Sequence, residues 1–416
     1  MLRRSRIYTD AQEIIHSALE ACLPDQAVRR ALEGKELGSG RVFLVALGKA
    51  AWQMARCAAE LLGPRLEQGV VVTKHGHSQG DIPRCQVFEG GHPVPDEGSF
   101  RGTRAAMELV QDLAPQDTVV LLVSGGGSAL FERPLIPAEE LAQLTSALLA
   151  CGADIVEMNT VRKRLSAVKG GRFAQLCAPA QVYSIVLSDI LGDPLDMIAS
   201  GPAYPDRSTC AQARAIAEKY QLPLSGQARA LLDQETPKEL DNVETVITGS
   251  VRELCSAAAA VCQRLGYETH ILTDQLCCQA REAGSFLASI ARTHGQEGRS
   301  LAFLAGGETV VLLTGKGLGG RNQELALSAA EGISGMENAL IFSLGSDGTD
   351  GPTDAAGGIV DGQTRGKLAQ AGLTIHQVLA DNDAYHALEK VGGLIHTGPT
   401  GTNVNDVAVV LLKADN

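Results

Sequence analysis

Short apolar runs that are almost free of polar residues alternate with helix-like stretches along this chain, and that alternation restricts what it can fold into. Val42–Leu47, Val70–Val72, Val119–Val123 and Val182–Leu187 are short, rich in β-branched residues and nearly continuous. Strands covered on both faces have this pattern. Helical stretches such as Ala50–Leu62 separate most of them. Strand–helix alternation implies a mostly parallel sheet with helices on both sides. A second series runs through Val246–Ile247, His270–Leu272, Leu301–Leu304, Val310–Leu313, Leu340–Leu344 and Val407–Leu412. At the chain's start, Thr9 and Gln12 have capping-box spacing, with Ile14, Ile15, Ala18, Leu19 and Cys22 in helical period behind them. A length of 416 residues exceeds what one core usually supports, so two α/β domains are expected, 1–240 and 241–416.

Charge narrows the partners. The chain carries 36 basic against 48 acidic residues, a net charge of −12, which argues against a nucleic-acid footprint. No apolar run has the length of a membrane-spanning helix, and none follows the basic first residues as a signal peptide would require. Ten cysteines without a CxxC pair read as thiols in a reducing compartment. The expectation is a cytoplasmic protein with a small-molecule ligand, no nucleic acid and no membrane; a homo-oligomer is compatible with it.

In open α/β sheets ligands sit beyond the carboxyl ends of the strands, so chemistry is sought just after each apolar run. Gly48-Lys49 follows the first, placing a lysine at a strand-to-helix turn where an anion would sit. Ser124-Gly125-Gly126-Gly127-Ser128 follows Val119–Val123. Its glycines let backbone amides approach an oxyanion, and it is neither a GxxxxGK[ST] loop nor a GxSxG elbow. Between Asn159 and Arg172 there are five positive charges and no acid; Arg162 and Lys169 share a face at helical spacing, and Lys163 points elsewhere. A solvated helix face is the plainer alternative. Asp189 and Asp193 flank a turn after Val182–Leu187 and suit a hydrated Mg²⁺ or a general base, or simply cap the turn.

Gly315-Lys316-Gly317-Leu318-Gly319-Gly320 satisfies GxGxxG between an expected strand and an expected helix starting at Arg321. The acidic partner of a dinucleotide site is late, however, since Asp347 falls inside another glycine-rich turn. Gly317, Gly319, Gly320, Arg321 and Asn322 therefore suit a polyphosphate at least as well as a nicotinamide dinucleotide. Asp347, Asp350 and Asp354 crowd the turn after Leu340–Leu344, a pattern for Mg²⁺–phosphate chemistry without the closing glutamate of a calcium loop. His75 and His77 lack a third ligand and read as loop residues.

Taken in order, VALGKA at 45–50, GGHPVPD at 90–96, SGGGSAL at 124–130 and NTVRKRLSAVKGGR at 159–172 resemble the class II glycerate 2-kinase family. So do SDILGDPLDMIASGP at 188–202, GKGLGGRNQE at 315–324 and GSDGTDGPTDAAGG at 345–358. The resemblance spans the chain, and its C-terminal part resembles the MOFRL domain. It implies a Rossmann-like N-terminal domain, a smaller α/β C-terminal domain, and ATP- and Mg²⁺-dependent phosphorylation of D-glycerate to 2-phosphoglycerate in an inter-domain cleft. It also implies catalytic roles for Lys49 and Arg321. Asp189 is then the base or a metal ligand, Asp193 and Asp347 are further metal candidates, and Ser124 to Ser128 cradle a carboxylate or phosphate. The alternative is an NAD(P)H-dependent hydroxypyruvate reductase, carried by GxGxxG, with His92 and His396 as proton donors.

Overall fold

The computed structural model describes residues 2–414, with side chains from Arg6 onward. The chain divides into two compact units that are discontinuous in sequence. One comprises 27–188 and 193–248; the other comprises the chain up to Gln26, 189–192, and everything from Gly249.

The 27–248 unit is built on a six-stranded sheet in the order β3-β2-β1-β4-β5-β6. Its strands are β1 (Val42–Leu47), β2 (Leu66–Lys74), β3 (Cys85–Gly90), β4 (Thr118–Val123), β5 (Gln181–Leu187) and β6 (Val243–Gly249). β1 runs parallel to β2 and β4, in unbroken register from Val42 opposite Thr118 to Leu47 opposite Val123. Every side chain of β1 and β4 is buried, which is why both read as continuous apolar runs. This strand order is that of doubly wound sheets. It reverses direction between β1 and β4, so the turns after these two strands flank the crevice where such sheets bind ligands.

The second unit has a mixed sheet in the order β11-β10-β9-β12-β8-β7. Its strands are β7 (Glu268–Leu276), β8 (Leu301–Gly307), β9 (Ala339–Gly345), β10 (Gly357–Asp361), β11 (Leu394–Ile395) and β12 (Asp406–Leu412). β12 lies antiparallel to both β8 and β9, and β7 runs parallel to β8. The Leu2–Ala21 helix belongs to this unit. It buries Ile7, Ala11, Ile14 and Ala18 in the core that also holds Cys22, Leu254, Ala258 and Cys262. Asp10 anchors it by accepting from Tyr267 Oη at 2.6 Å and Lys413 Nζ at 2.8 Å.

Several expected elements are corrected. Thr9 lies inside the first helix, not at its cap. Val246–Ile247 is the last strand of the first sheet and does not open the second series. Val310–Leu313 is not a strand: Leu312 and Leu313 are 55% and 79% exposed, and only Val310 makes a bridge, with Gln279. β3 and β10 escaped the pattern for different reasons. β3 is a half-exposed edge strand of mixed polarity. β10 opens with Gly357 and Gly358, whose backbones pack where a side chain would collide with Ser343 or Leu388.

Candidate active site

In the 27–248 unit, the expected residues gather beyond β1 and β4. Gly48 turns the chain out of β1 at φ +114°, and a Cβ there would stand 2.2 Å from Ser124 Oγ. That contact is structural: Ser124 is buried and accepts from the Ala50 amide at 3.1 Å, at the start of the Ala51–Leu62 helix. Ser124 is therefore committed to the turn. Lys49 is fixed by its backbone, its amide donating to Gly125 O at 2.8 Å and its carbonyl accepting from Thr73 Oγ1. Its exposed ammonium has no hydrogen-bond or ion-pair partner among the described residues.

The amides of Gly125, Gly126, Gly127 and Ser128 have no acceptor among the described residues. Gly126 holds φ +83°, a left-handed conformation that turns successive amides toward one side. Ser128 Oγ lies 2.9 Å from Ser200 Oγ, which donates to Asn159 Oδ1 at 3.0 Å. Ala199 and Ser200 sit at φ +51° and +61°, a strained conformation for residues with side chains that is characteristic of functional sites. Lys169 and Arg162 both donate to Ser128 O, at 2.7 and 3.3 Å. Glu132 lies beneath them, 3.4 Å from Lys169 and 3.9 Å from Arg162. Both Glu132 oxygens are buried without a hydrogen bond. Burial pushes the Lys169 ammonium down to about 8, with Glu132 opposing the shift and Arg162 adding to it.

The basic segment thus divides. Arg162 and Lys169 converge on the glycine turn, although Lys169 lies beyond the end of the Ile155–Arg164 helix, so helical spacing gave the right pairing for the wrong reason. The others are structural. Lys163 pairs with Asp196 and Asp206, Arg164 with Asp206 and Glu235, and Arg172 donates to the carbonyls of Lys163, Arg164 and Ser166. The segment is not a solvated helix face, because Lys163, Arg164 and Lys169 are buried. Asp193, at φ +50°, has one carboxylate oxygen buried without a donor.

In the other unit, Arg321 opens the Arg321–Gly332 helix. Its Nε donates to Asp406 Oδ2 at 2.5 Å, one terminal nitrogen to Asp406 Oδ1 at 3.1 Å, and the other to Glu308 Oε1 at 2.8 Å. Burial works against its charge, but the bond to Asp406 and the charges of Asp406, Glu308 and Asp350 raise its pKa overall. Burial likewise raises the Asp406 carboxyl, against the pull of Arg321. Asn405 Nδ2 donates to the Asp189 carbonyl at 3.2 Å and to Glu308 Oε2 at 3.3 Å, which places Asp189 with this unit, whereas Asp193 belongs to the 27–248 unit.

The first part of the Gly315–Gly320 loop does not offer its amides to a ligand, whereas the Gly319 and Gly320 amides have no acceptor among the described residues. Thr314 and Gly315 donate to Asn382 Oδ1, Lys316 to Asp381 Oδ1, Gly317 to Asp381 O and Leu318 to Asp383 Oδ1. The helix that follows is also occupied. Asp350 accepts from the Asn322 and Gln323 amides at 3.1 and 2.8 Å, filling the place an anion would take. Asn322 is buried between Asp350 and Ser343. Gly319 packs against Ala384, and Gly320 against Asp350. Asp347 accepts from the Thr349 amide at 3.0 Å. Among the described residues no three acidic, histidine or cysteine side chains form a metal-holding cluster.

Glu132, Ser200, Glu308, Asn405 and Asp406 were missed in the sequence. Searching after each strand cannot find Asp406: β12 is antiparallel, so its first residue lies opposite Gly307 and Gly345, the last residues of β8 and β9.

Residues 10–233 match a family described as a domain of unknown function, DUF4147, and residues 301–406 match the MOFRL family. A D-glycerate 2-kinase of Thermotoga maritima is 52% identical over 408 residues, 97% of either chain. A glycerate 2-kinase of Pyrococcus horikoshii is 41% identical over 96% of either chain. A putative hydroxypyruvate reductase of Agrobacterium vitis is 38% identical over 96% of this chain and 93% of its own. The crystal structure of a glycerate kinase from Thermotoga maritima aligns with a TM-score of 0.95 at 51% identity, over 98% of this chain and all of the other. That of a Pyrococcus horikoshii protein aligns at 0.93 and 41%, over 98% and 99%.

Proposed function

This chain belongs to the glycerate 2-kinase family, and from that premise we propose that it transfers the γ-phosphoryl group of ATP to the 2-hydroxyl of D-glycerate. The observation that carries the chemistry is the turn after β4, where four amides without acceptors stand beside Lys49 at the reversal point of the sheet. Phosphoryl transfer asks a protein mainly for positioning and charge neutralisation, and this turn supplies both. The Gly125–Ser128 amides hold the substrate carboxylate or a phosphate, and Lys49 neutralises charge developing on the transferred group. Lys169 and Arg162 keep the turn in place through Ser128 O. Ser200 and Asn159 orient the Ser128 hydroxyl.

Arg321 is assigned to the same reaction, its guanidinium held in orientation by Asp406 and Glu308. Mg²⁺ typically takes only one or two protein carboxylates and completes its shell with phosphate oxygens and water, so the lack of a three-acid cluster does not disfavour it. Asp193 fits the ion, since its buried carboxylate oxygen has no donor among the described residues and a cation would satisfy it. When bound, Mg²⁺ would neutralise phosphate charge. Ten cysteines read as thiols favour a cytoplasmic setting.

The reductase reading is the weaker of the two. The GxGxxG amides from Gly315 to Leu318 are bonded within the protein, and the motif does not directly follow a strand, since β8 ends at Gly307. One experiment separates the two activities: D-glycerate with ATP and Mg²⁺ in one reaction, hydroxypyruvate with NADH in another. ADP formation that depends on glycerate is expected. NADH consumption without it would replace the kinase by the reductase.

A further inference from the structure

Beside the glycine turn stands a histidine that the kinase reading has not used. His92 follows β3 in the loop that leads to the Glu97–Leu109 helix. Its ring lies against Gly126: a Cβ on that glycine would stand 3.1 Å from His92 Cδ2, 3.3 Å from His92 Nε2 and 3.1 Å from Lys49 Cγ. Gly126 is thus flanked by the imidazole on one hand and the Lys49 stem on the other. Neither ring nitrogen of His92 has a hydrogen-bond partner among the described residues. Its neighbours are engaged, His75 with Asp96 at 2.6 Å and His77 with the Lys49 carbonyl at 3.0 Å.

We propose, resting on the glycerate-kinase reading, that His92 is the proton acceptor for the attacking 2-hydroxyl. As the hydroxyl oxygen forms its bond to the γ-phosphorus, its proton passes to the free imidazole nitrogen. The bond from the γ-phosphorus to the bridging oxygen breaks, and its electron pair leaves on ADP. The imidazolium then gives the proton to solvent.

The surroundings suit a group that stays neutral until it reacts. Burial lowers the pKa of His92 below its ordinary 6.5, and the charges of Lys49, Lys74 and His77 lower it further. Lys49 stands in the turn after β1, Lys74 at the end of β2 and His77 in the loop beyond it. The Gly125–Ser128 turn brings no charge. Asp96, the acid of its own loop, is satisfied by His75 and by the Ser99 and Gly91 amides. A neutral imidazole beside the Lys49 ammonium can accept a proton, and the same repulsion speeds its release.

The test compares the pH profile of kcat/KM for D-glycerate in the wild type with those of His92→Gln and His92→Ala, all checked for an unchanged melting temperature. His92→Gln keeps a hydrogen-bonding side chain and removes the base. Wild-type activity should fall on the acid side through a pKa below 6.5. Both variants should lose about a hundredfold in kcat, with KM altered by less than about threefold, and lose that acid limb. A His92→Gln enzyme within about threefold of wild-type kcat overturns the proposal, as does an acid limb that persists in it or is missing from the wild type. If the wild type forms no ADP from glycerate, the kinase reading falls and this proposal with it; an active wild type with unaffected variants removes this proposal alone.

Discussion

The turn at Gly125–Ser128 and the loop at Gly315–Gly320 are both glycine-rich, both follow apolar residues, and both precede a helix, yet the amides of the first and those from Gly315 to Leu318 in the second have opposite fates. In the first, four consecutive amides lack acceptors among the described residues. In the second, the amides from Thr314 to Leu318 are spent on Asp381, Asn382 and Asp383. Glycine permits close approach of backbone, and the approaching group is a ligand in one case and the protein itself in the other. What separates them is the supply of local acceptors: an Asp-Asn-Asp run packs against the second, and nothing comparable reaches the first.

The comparison breaks most sharply at Lys49. Its ammonium makes no internal bond, so Lys49→Ala should cost at least about a hundredfold in turnover while leaving the melting temperature within a degree or so. A variant that stays active removes the first turn from the chemistry. Gly317→Ala should show the converse. A Cβ there meets Asp383 Cβ at 2.4 Å and Asp381 O at 2.6 Å, so it should destabilise by about 1–3 kcal/mol in denaturant melts, with kcat/KM of the folded enzyme little changed. Loss of nucleotide binding without loss of stability would make that loop a ligand loop after all.

A smaller effect should appear in the pH dependence of stability. Burial pushes the Asp350 carboxyl up to about 7, against the two amides it accepts from. The unfolded carboxyl ionises near 3.8, so between these values the folded state holds a proton that the unfolded state has released. Stability should therefore fall as pH rises through that window, then level off. Asp350→Asn should flatten this slope, as measured by melting temperature from pH 4 to 8. An unchanged slope would show that Asp350 titrates alike in both states.

The parallel sheet was legible because its central strands are covered on both faces: Val42–Leu47 is β1 to the residue. The placement of Lys49 and Ser124–Ser128 in the turns after β1 and β4 followed from the same pattern, since parallel strands end on one edge. The mixed sheet was harder. Its central strand β12 runs against its neighbours, so Asp406 enters the site from a strand's beginning, where no rule looks. Leu312 and Leu313 imitate a strand although they are exposed, and apolarity alone cannot tell a buried run from a surface one. Glu132 sits beneath a basic pair from a distant segment, a juxtaposition that only tertiary packing creates.

The central claim is phosphorylation at the 2-position of D-glycerate, and phosphorus NMR of the product tests it directly. With D-glycerate, ATP and Mg²⁺, the protein should produce ADP and 2-phosphoglycerate in equal amounts. A product phosphorylated at the 3-position, or ATP left unconsumed while glycerate is present, would contradict it.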